Sequence, residues 1–220
     1  MSEMKNQIEQ LSTSAQSKVL IKKRGRPKCF DESKALQQAT LMFWENGYEA
    51  TSIGDLTKTL GITAPSLYSS FGDKAQLFQK CLDYYQQNES CDMDIIFQNA
   101  PNIQSGLMTY LKISLENILQ SDKPKGCMFV LSTINCSEVN KQLQLKISKH
   151  RQLKKEKLVH FLKQAQLNQE LRKDADITTL ATYYSTLLQG MSIQARDGVT
   201  HDELEQVIEL ATLAWHANAI

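Results

Sequence analysis

Residues 51–74 read TSIGDLTKTLGITAPSLYSSFGDK and contain two short helical patterns separated by a glycine. Ser52 and Asp55 have the spacing of a capping box, and Gly61 permits the left-handed conformation that ends a helix. Pro65 fits the first turn of the second helix because the N–H that proline lacks has no helical partner there. Two short helices joined in this way are typical of a helix-turn-helix, but a helical hairpin with no DNA-binding role shows the same pattern.

The flanking sequence extends this pattern into an all-α fold. A helix is expected after Asp31, with an apolar face that includes Ala35 and Ala39 and a stop at Gly47. Another should follow Asp73, which is a plausible N-cap. Longer amphipathic helices are predicted at about 103–119, 126–137, 139–171, 180–191 and 204–215. With 9 glycines, 4 prolines and no hairpin signal, the 220 residues contain no clear strand pattern.

Composition excludes several classes of protein. No stretch approaches the roughly 20 apolar residues of a membrane span, and the first residues lack a signal-peptide pattern, so we expect a cytoplasmic protein. The five cysteines are scattered without a CxxC pair, which predicts no metal site. The four histidines stand outside any catalytic motif, and no phosphate-binding glycine loop is present. An enzyme and a cofactor are therefore not expected.

The near-neutral net charge of +1 is an average over unlike parts. Residues 1–30 hold seven Lys or Arg against two acids, whereas residues 31–220 carry an acidic excess. Residues 1–24 are predicted to be a disordered tail that ends in a basic cluster. Within this cluster, which ends at Lys28, Arg24-Gly25-Arg26-Pro27 resembles the core of an AT-hook, in which arginines lie along a narrow minor groove. Arg24, Arg26 and Lys28 are accordingly predicted to contact DNA.

The sequence from 24 to 85 also resembles the DNA-binding domain of the tetracycline-repressor (TetR) family of bacterial transcriptional regulators. The resemblance rests on these residues: Arg24-Gly25-Arg26-Pro27, Phe30-Asp31, Ala35-Leu36, Ala39, Phe43-Trp44, Gly47-Tyr48, Thr51-Ser52-Ile53, Leu60-Gly61-Ile62, Ser66-Leu67-Tyr68, Phe71-Gly72-Asp73-Lys74 and Leu77-Phe78. A weaker similarity to the regulatory domain of one branch of the family rests on Gly126-Cys127, Gln189-Gly190-Met191 and Ala195-Arg196-Asp197-Gly198. This implies a DNA-binding domain at 25–85 and a helical ligand-binding and dimerisation domain at 86–220.

The resemblance implies that the helix from Thr63 to Phe71 enters the major groove. No Arg or Lys lies between Lys58 and Lys74, so the bidentate arginine-to-guanine contact is absent from this helix. Specificity for the DNA sequence must then come from hydroxyl groups, small apolar groups and the shape of the DNA. Phosphates are expected at the start of the helix that begins at Ser52 and at Lys74, which is similar to a family lysine that contacts the DNA backbone. The predicted DNA contacts in this domain are Thr51, Ser52, Thr63, Ala64, Pro65, Ser66, Tyr68, Ser69 and Lys74.

In the second half, apolar residues at helical spacing serve equally as core or as a ligand pocket. The pocket candidates are Met108, Tyr110, Met128, Phe129, Tyr183 and Tyr184. The last two helices form either an intramolecular core or half of a four-helix dimer interface. The interface candidates are Leu188, Met191, Leu204, Ile208, Ala211 and Trp215. Cys127 and Cys136, nine residues apart on one predicted helix, would face opposite sides and cannot share a metal.

These features predict a ligand-responsive transcriptional regulator, most simply a repressor, that binds a palindromic operator as a homodimer. Its partners would be double-stranded DNA and an unidentified small-molecule effector. The alternative is an architectural DNA-binding dimer whose helical half senses nothing. A ligand that stabilises the protein and weakens operator binding separates the two.

Overall fold

The structure, a computed structural model, describes residues 30–133 and 136–220. These residues form α1 (Glu32–Ala50), α2 (Ile53–Leu60), α3 (Ala64–Phe71), α4 (Lys74–Asn88), α5 (Met93–Asn99), α6 (Ile103–Ile118), α7 (Met128–Leu131), α8 (Lys141–Leu167), α9 (Ile177–Arg196) and α10 (His201–His216). Between Leu171 and Ala219 lies an isolated β-bridge, and the described ranges contain no strand. The all-α prediction is confirmed, and the tail predicted at 1–24 lies outside the described residues.

The first helices begin and end where the local sequence predicts. α1 bends at Gly47, whose φ of 77° is left-handed, so its regular part stops at that glycine. Ser52 and Asp55 form the complete capping box of α2, and Gly61 ends this helix with a φ of 64°. Thr63 caps α3 through its side-chain oxygen. Strong local signals at each boundary thus fix two short helices that propensity alone would leave marginal.

The first four helices, α1 to α4, pack together through aromatic and leucine side chains. The Phe43 and Phe78 rings meet edge to face with centroids 4.9 Å apart, and Trp44 meets Tyr85 in the same way at 4.8 Å. Leu67, on the inner side of α3, has no exposed surface. Full burial of such a side chain stabilises the fold by about 1.5–3 kcal/mol. The inner faces of α2 and α3 are therefore anchored, which leaves their outer faces rigidly presented.

The longer helices α6, α8, α9 and α10 surround a second apolar core. Its members with no exposed surface include Leu107, Leu111, Leu162, Ala165, Ala181, Tyr184 and Ala211. The Tyr184 hydroxyl donates a hydrogen bond of 3.2 Å to the Ala211 carbonyl, so α9 and α10 are joined by a polar contact inside the core. A buried tyrosine hydroxyl needs such a partner, because leaving it unsatisfied costs about 1–3 kcal/mol.

The segment after α6 differs from its prediction. The apolar run predicted as one helix over 126–137 forms only α7, a helix of 4 residues. Gly126 has a φ of 79°, and a Cβ there would lie 2.5 Å from the Ser192 carbonyl oxygen, so the turn before α7 requires glycine. Cys127 and Cys136 therefore do not share one helix, and the argument from their angular separation does not hold.

Two further boundaries were not foreseen. α5 was not predicted, because its seven residues are too few to show a helical period. The helix predicted over 139–171 is preceded by a 3-10 turn, Glu138–Asn140, and ends at Leu167. Gln169, two residues beyond Leu167, has a φ of 62°, a left-handed conformation in which the helix cannot continue.

Residues Glu32–Ile220 pack as one compact unit. The predicted division at residue 85 falls inside α4, which continues to Asn88, and the division stays a prediction. Among the described residues, no helix combines the length and the apolar character that crossing a membrane requires.

Candidate nucleic-acid interface

The outer face of α3 presents most of the residues predicted to contact bases. Tyr68 is 48% exposed, although it is a large aromatic side chain on a helix whose other face is fully buried. Thr63, Pro65 and Ser69 are also exposed, and Ala64 and Ser66 are half-buried. The inner residues Leu67 and Phe71 are buried, as predicted. The structure therefore leaves the six candidates of this segment exposed or half-buried, while the core residues of α3 face inward.

Two hydroxyls at the start of α3 form a pair. The Thr63 and Ser66 side-chain oxygens lie 2.9 Å apart, and the Ser66 backbone N–H donates to Thr63 Oγ1 at 3.4 Å. The N-cap thus orients Ser66 as well as the helix. Because these side chains are small and carry no charge, they allow close approach to base edges without a cost for stripping water from an ion.

The three phosphate candidates beside α3 have different environments. The Thr51 side chain is buried, and its hydroxyl donates to the Gly47 carbonyl at 2.7 Å. The Thr51 hydroxyl is therefore engaged at the bend of α1, and a contact of Thr51 with DNA stays a prediction. Ser52 is exposed, but its hydroxyl donates to Asp55 Oδ2 at 2.5 Å. The carboxylate of this capping box already occupies the N-terminus of α2, which weakens that end as an anion site.

The Lys74 side chain is held in place by contacts with the end of α1. Its ammonium lies 4.3 Å from the centroid of the Tyr48 ring and donates to the Glu49 carbonyl at 3.4 Å. Partial burial lowers the pKa of Lys74, while the charge of Glu49 opposes that shift. The side chain lies at the first residue of α4, three positions beyond the end of α3, and is positioned by a cation–π contact. Arg24, Arg26 and Lys28 lie outside the described residues.

A loop from the second half of the chain contacts α1 directly. The Trp44 indole N–H donates to the Gly126 carbonyl at 2.9 Å in a buried site, and the Tyr48 backbone N–H donates to the Ser132 carbonyl at 2.9 Å. From α9, the Arg196 guanidinium donates to the Trp44 carbonyl at 2.9 Å. The C-terminal part of α1 is thus hydrogen-bonded to both residues 126–132 and α9. Sequence reasoning missed these contacts, since 82 to 152 positions separate the partners.

The same loop lines a cavity among α4, α6, α7, α8 and α9. The cavity has two adjoining lobes of about 110 Å³ each, which share lining residues such as Cys127, Val130 and Lys154. Two half-buried cysteines, Cys91 and Cys127, face the first lobe. Sequence reasoning missed most of this lining, because its residues come from five elements with no shared motif.

Of the six predicted pocket residues, Phe129 lines a lobe of this cavity. Met128 and Tyr184 have no exposed surface, Tyr110 is buried in the core and Met108 packs against it. Tyr183 is 40% exposed on the outside of α9. These five therefore do not line either lobe, and the reason is that an apolar helical period marks the core as readily as a pocket.

The predicted dimer residues also need correction. Met191, Leu204, Ile208, Ala211 and Trp215 are all buried within the single chain. They cannot face a second copy, because their surface is already covered. Leu188 lines the cavity. A different apolar face of α9 and α10 remains exposed, and it carries Tyr183, Ile193, Leu210 and Leu213.

The chain is similar to known transcriptional regulators along most of its length. The sequence profile of the family described as "Bacterial regulatory proteins, tetR family" matches residues 35–81. The HTH-type transcriptional repressor ComR of Escherichia coli K12 is 32% identical over 195 residues, which covers 88% of this chain and 93% of ComR. The repressor BdcR of the same organism is 27% identical over 88% of this chain and 91% of its own length.

Solved structures show the same similarity. A cysteine mutant of the TetR-family regulator CifR, complexed with a 26-bp double-strand operator DNA, matches with a TM-score of 0.82 and 32% identity. The match covers 86% of this chain and 100% of CifR. The helix-turn-helix geometry, the helical second half and the extent of these matches lead to one assignment. The chain belongs to the TetR family of transcriptional regulators, which are non-enzymatic DNA-binding proteins.

Proposed function

We propose that this chain represses transcription as a homodimer that binds a palindromic operator and releases it when a small molecule occupies the cavity. The observation that carries the proposal is that residues 126–132 both line the cavity and hydrogen-bond to α1. The similarity to the repressors ComR and BdcR supports repression rather than activation. Within the chain, residues 25–85 are proposed to bind DNA, and residues 86–220 to bind the effector and the second copy.

In the DNA-binding role, the outer face of α3 lies in the major groove. Ser66 and Ser69 meet base edges, Ala64 and Pro65 contact thymine methyl groups, and Tyr68 reaches a phosphate. Lys74 adds a charge beside the helix. The basic residues Arg24, Arg26 and Lys28 supply the minor-groove contacts that an α3 without arginine does not provide.

The exposed face of α9 and α10 is the proposed dimer interface. Leu210 and Leu213 are 64% and 61% exposed on α10, and Tyr183 and Ile193 are partly exposed on α9. A Cβ added at Gly190 would meet nothing within 4 Å, so this side of α9 permits close approach of another helix. Two such helix pairs make an isologous four-helix interface. The two α3 helices would then be separated by about one DNA turn, roughly 34–36 Å.

Effector response requires that the cavity change the position of α1. A ligand that pushes on Cys127, Phe129 or Val130 moves the loop whose Gly126 carbonyl accepts from Trp44. The Trp44 ring also lies against Tyr85 of α4, which lines the first lobe. Two contacts thus lead from the cavity to α1. Because the operator selects one separation of the α3 helices, a ligand that favours another separation releases the DNA.

Selection of genomic fragments tests the proposal. Purified full-length protein is mixed with sheared DNA of the source organism, and the retained fragments are sequenced. We expect enrichment of a few fragments that share an inverted repeat, bound by two chains per repeat. Enrichment without symmetry would contradict the homodimeric operator complex. If no small molecule weakens operator binding, the result would favour the alternative, an architectural DNA-binding dimer without an effector.

A further inference from the structure

The basic residues around the cavity identify the chemistry of its ligand. Lys154 lines both lobes, and its ammonium donates a hydrogen bond of 3.4 Å to the Cys91 carbonyl. Within the described residues, no ion pair joins this ammonium to a carboxylate. A half-buried charge with one long bond to a neutral oxygen is incompletely compensated for the water that it has lost.

A second and a third basic group lie beside Lys154 in the other lobe. The Arg151 guanidinium is half-buried and donates to the Phe129 carbonyl at 2.7 Å. The His150 ring is stacked on the Phe129 ring, with centroids 3.7 Å apart and an angle of 7° between the planes. Burial, followed by the charges of Lys154 and Arg151, lowers the pKa of His150 to about 4. Two cationic side chains, those of Lys154 and Arg151, therefore line this lobe.

The acids near the cavity do not cancel this potential. Glu89 lines the first lobe, but it is ion-paired with Lys123. Asp92 and Lys154 both line a neighbouring surface depression, but the exposed Asp92 side chain caps α5, and among the described residues no ion pair joins it to Lys154. The remaining polar lining consists of neutral hydroxyl, amide and thiol groups, such as those of Ser114 and Cys91. The cavity thus presents two full positive charges that no acid in its lining neutralises.

We infer that the effector is a small apolar molecule with one carboxylate or similar anionic group, and that Lys154 binds this group. Its size follows from the cavity, because a lobe of about 110 Å³ is comparable with the cavity of roughly 150 Å³ that accepts one benzene ring. The apolar part contacts Val130 and Leu188, which both lobes share. The anion lies near Lys154 and Arg151. This inference rests on the proposed effector site and adds its charge preference.

The test uses matched one-ring compounds that differ in charge. Benzoate and 3-phenylpropionate are the anionic probes, benzamide and 3-phenylpropionamide the neutral ones, and benzylamine the cationic one. Binding to the full-length protein is measured by calorimetry and thermal unfolding at constant ionic strength. We expect a carboxylate to raise the Tm and to bind about tenfold more tightly than its amide, because a charge-assisted hydrogen bond replaces a neutral one.

Two variants localise the interaction. Lys154→Gln should lower the affinity for the carboxylate about tenfold and leave the affinity for the amide unchanged. Lys163→Gln, an exposed change on the same helix α8, is the control and should bind like the parent protein. Equal or tighter binding of the amide, an unaffected Lys154→Gln variant, or no binding in any of the three series would overturn the inference.

Operator binding measured on the same samples separates this inference from the proposed function. Amide binding that releases the operator would overturn the anionic effector and preserve effector response. Carboxylate binding that requires Lys154 but leaves operator affinity unchanged would support the charge preference and contradict the proposed release mechanism.

Discussion

The Trp44 indole N–H donates a buried hydrogen bond of 2.9 Å to the Gly126 carbonyl, and this bond joins the C-terminal part of α1 to the loop that lines the cavity. Trp44 is 1% exposed, and its ring contacts Tyr85 of α4. The bond therefore belongs to the structural core as well as to the proposed route from effector to DNA.

Trp44→Phe should reduce both stability and effector response. Phenylalanine retains an aromatic ring but leaves the Gly126 carbonyl without its donor, at an expected cost of about 1–3 kcal/mol. Chemical unfolding gives that loss, and a titration of the operator complex with effector gives the response. A variant that is destabilised yet releases operator like the parent protein would exclude this bond from the route.

The oligomeric state depends on the exposed face of α10. Leu210→Asp combined with Leu213→Asp should give a folded monomer, because both side chains are more than half exposed in the single chain. Sedimentation equilibrium measures the mass, and helical circular dichroism checks the fold. Leu167→Asp is the control, since Leu167 is 74% exposed at the end of α8. Dimers in the double variant would place the interface elsewhere.

Trp215→Asp, by contrast, should prevent the chain from folding, rather than give a folded monomer. Trp215 is 1% exposed in the core, where an unpaired carboxylate is strongly destabilising. The interface candidates that the sequence offered on α10, Trp215 among them, lie on its buried face. Periodicity reveals that a helix has an apolar face, but it does not distinguish a face covered by the same chain from one covered by a second copy.

Stability should fall as the pH is lowered from about 6.5 to 4. The folded-state pKa of His150 is lowered to about 4, so over this interval the unfolded chain binds a proton that the folded chain does not, and unfolding becomes more favourable. After allowance for solvent screening of the half-buried ring, the loss is on the order of 1 kcal/mol. Urea unfolding at several pH values measures it.

His150→Gln is the matched variant for that measurement. It should flatten this part of the pH profile while the background from other groups remains. A profile that stays as steep without His150 would assign the pH dependence to another residue.

Deletion of residues 1–28 should weaken operator binding and its salt dependence. Each lost phosphate contact reduces the slope of log K against log salt by about one unit. Replacing Arg24 and Arg26 with alanine in the full-length chain tests the same contacts without shortening it. Fluorescence anisotropy at several salt concentrations gives the slopes. Equal slopes and affinities for the three proteins would show that the basic segment does not bind DNA.

The sequence predicted most where a local chemical rule decides the structure. Ser52, Gly61 and Thr63 marked the boundaries of α2 and α3, because capping and left-handed glycine depend on only a few neighbouring residues. The outward position of Tyr68 followed from the same register. The buried position of Thr51 was not predicted, since its hydroxyl bonds to the Gly47 carbonyl across the bend of α1.

The cavity could not be predicted in the same way. Lys154 was one lysine in a basic helix, and only tertiary packing brings it to Cys91 and Cys127. The two cysteines come from separate segments, the second from a loop whose geometry depends on Gly126. Such sites are made by contacts between distant residues, for which a single sequence carries no periodic signal.

Operator affinity of Tyr68→Ala is the most direct test of DNA binding by α3. Tyr68 is exposed at 48%, so its loss should leave the Tm and dimer unchanged while operator affinity falls at least about tenfold. Tyr68→Phe, which removes only the hydroxyl, should show an intermediate loss if the hydroxyl binds phosphate. Parent-like affinity of a folded, dimeric Tyr68→Ala variant for the selected operator would contradict this account of the DNA interface.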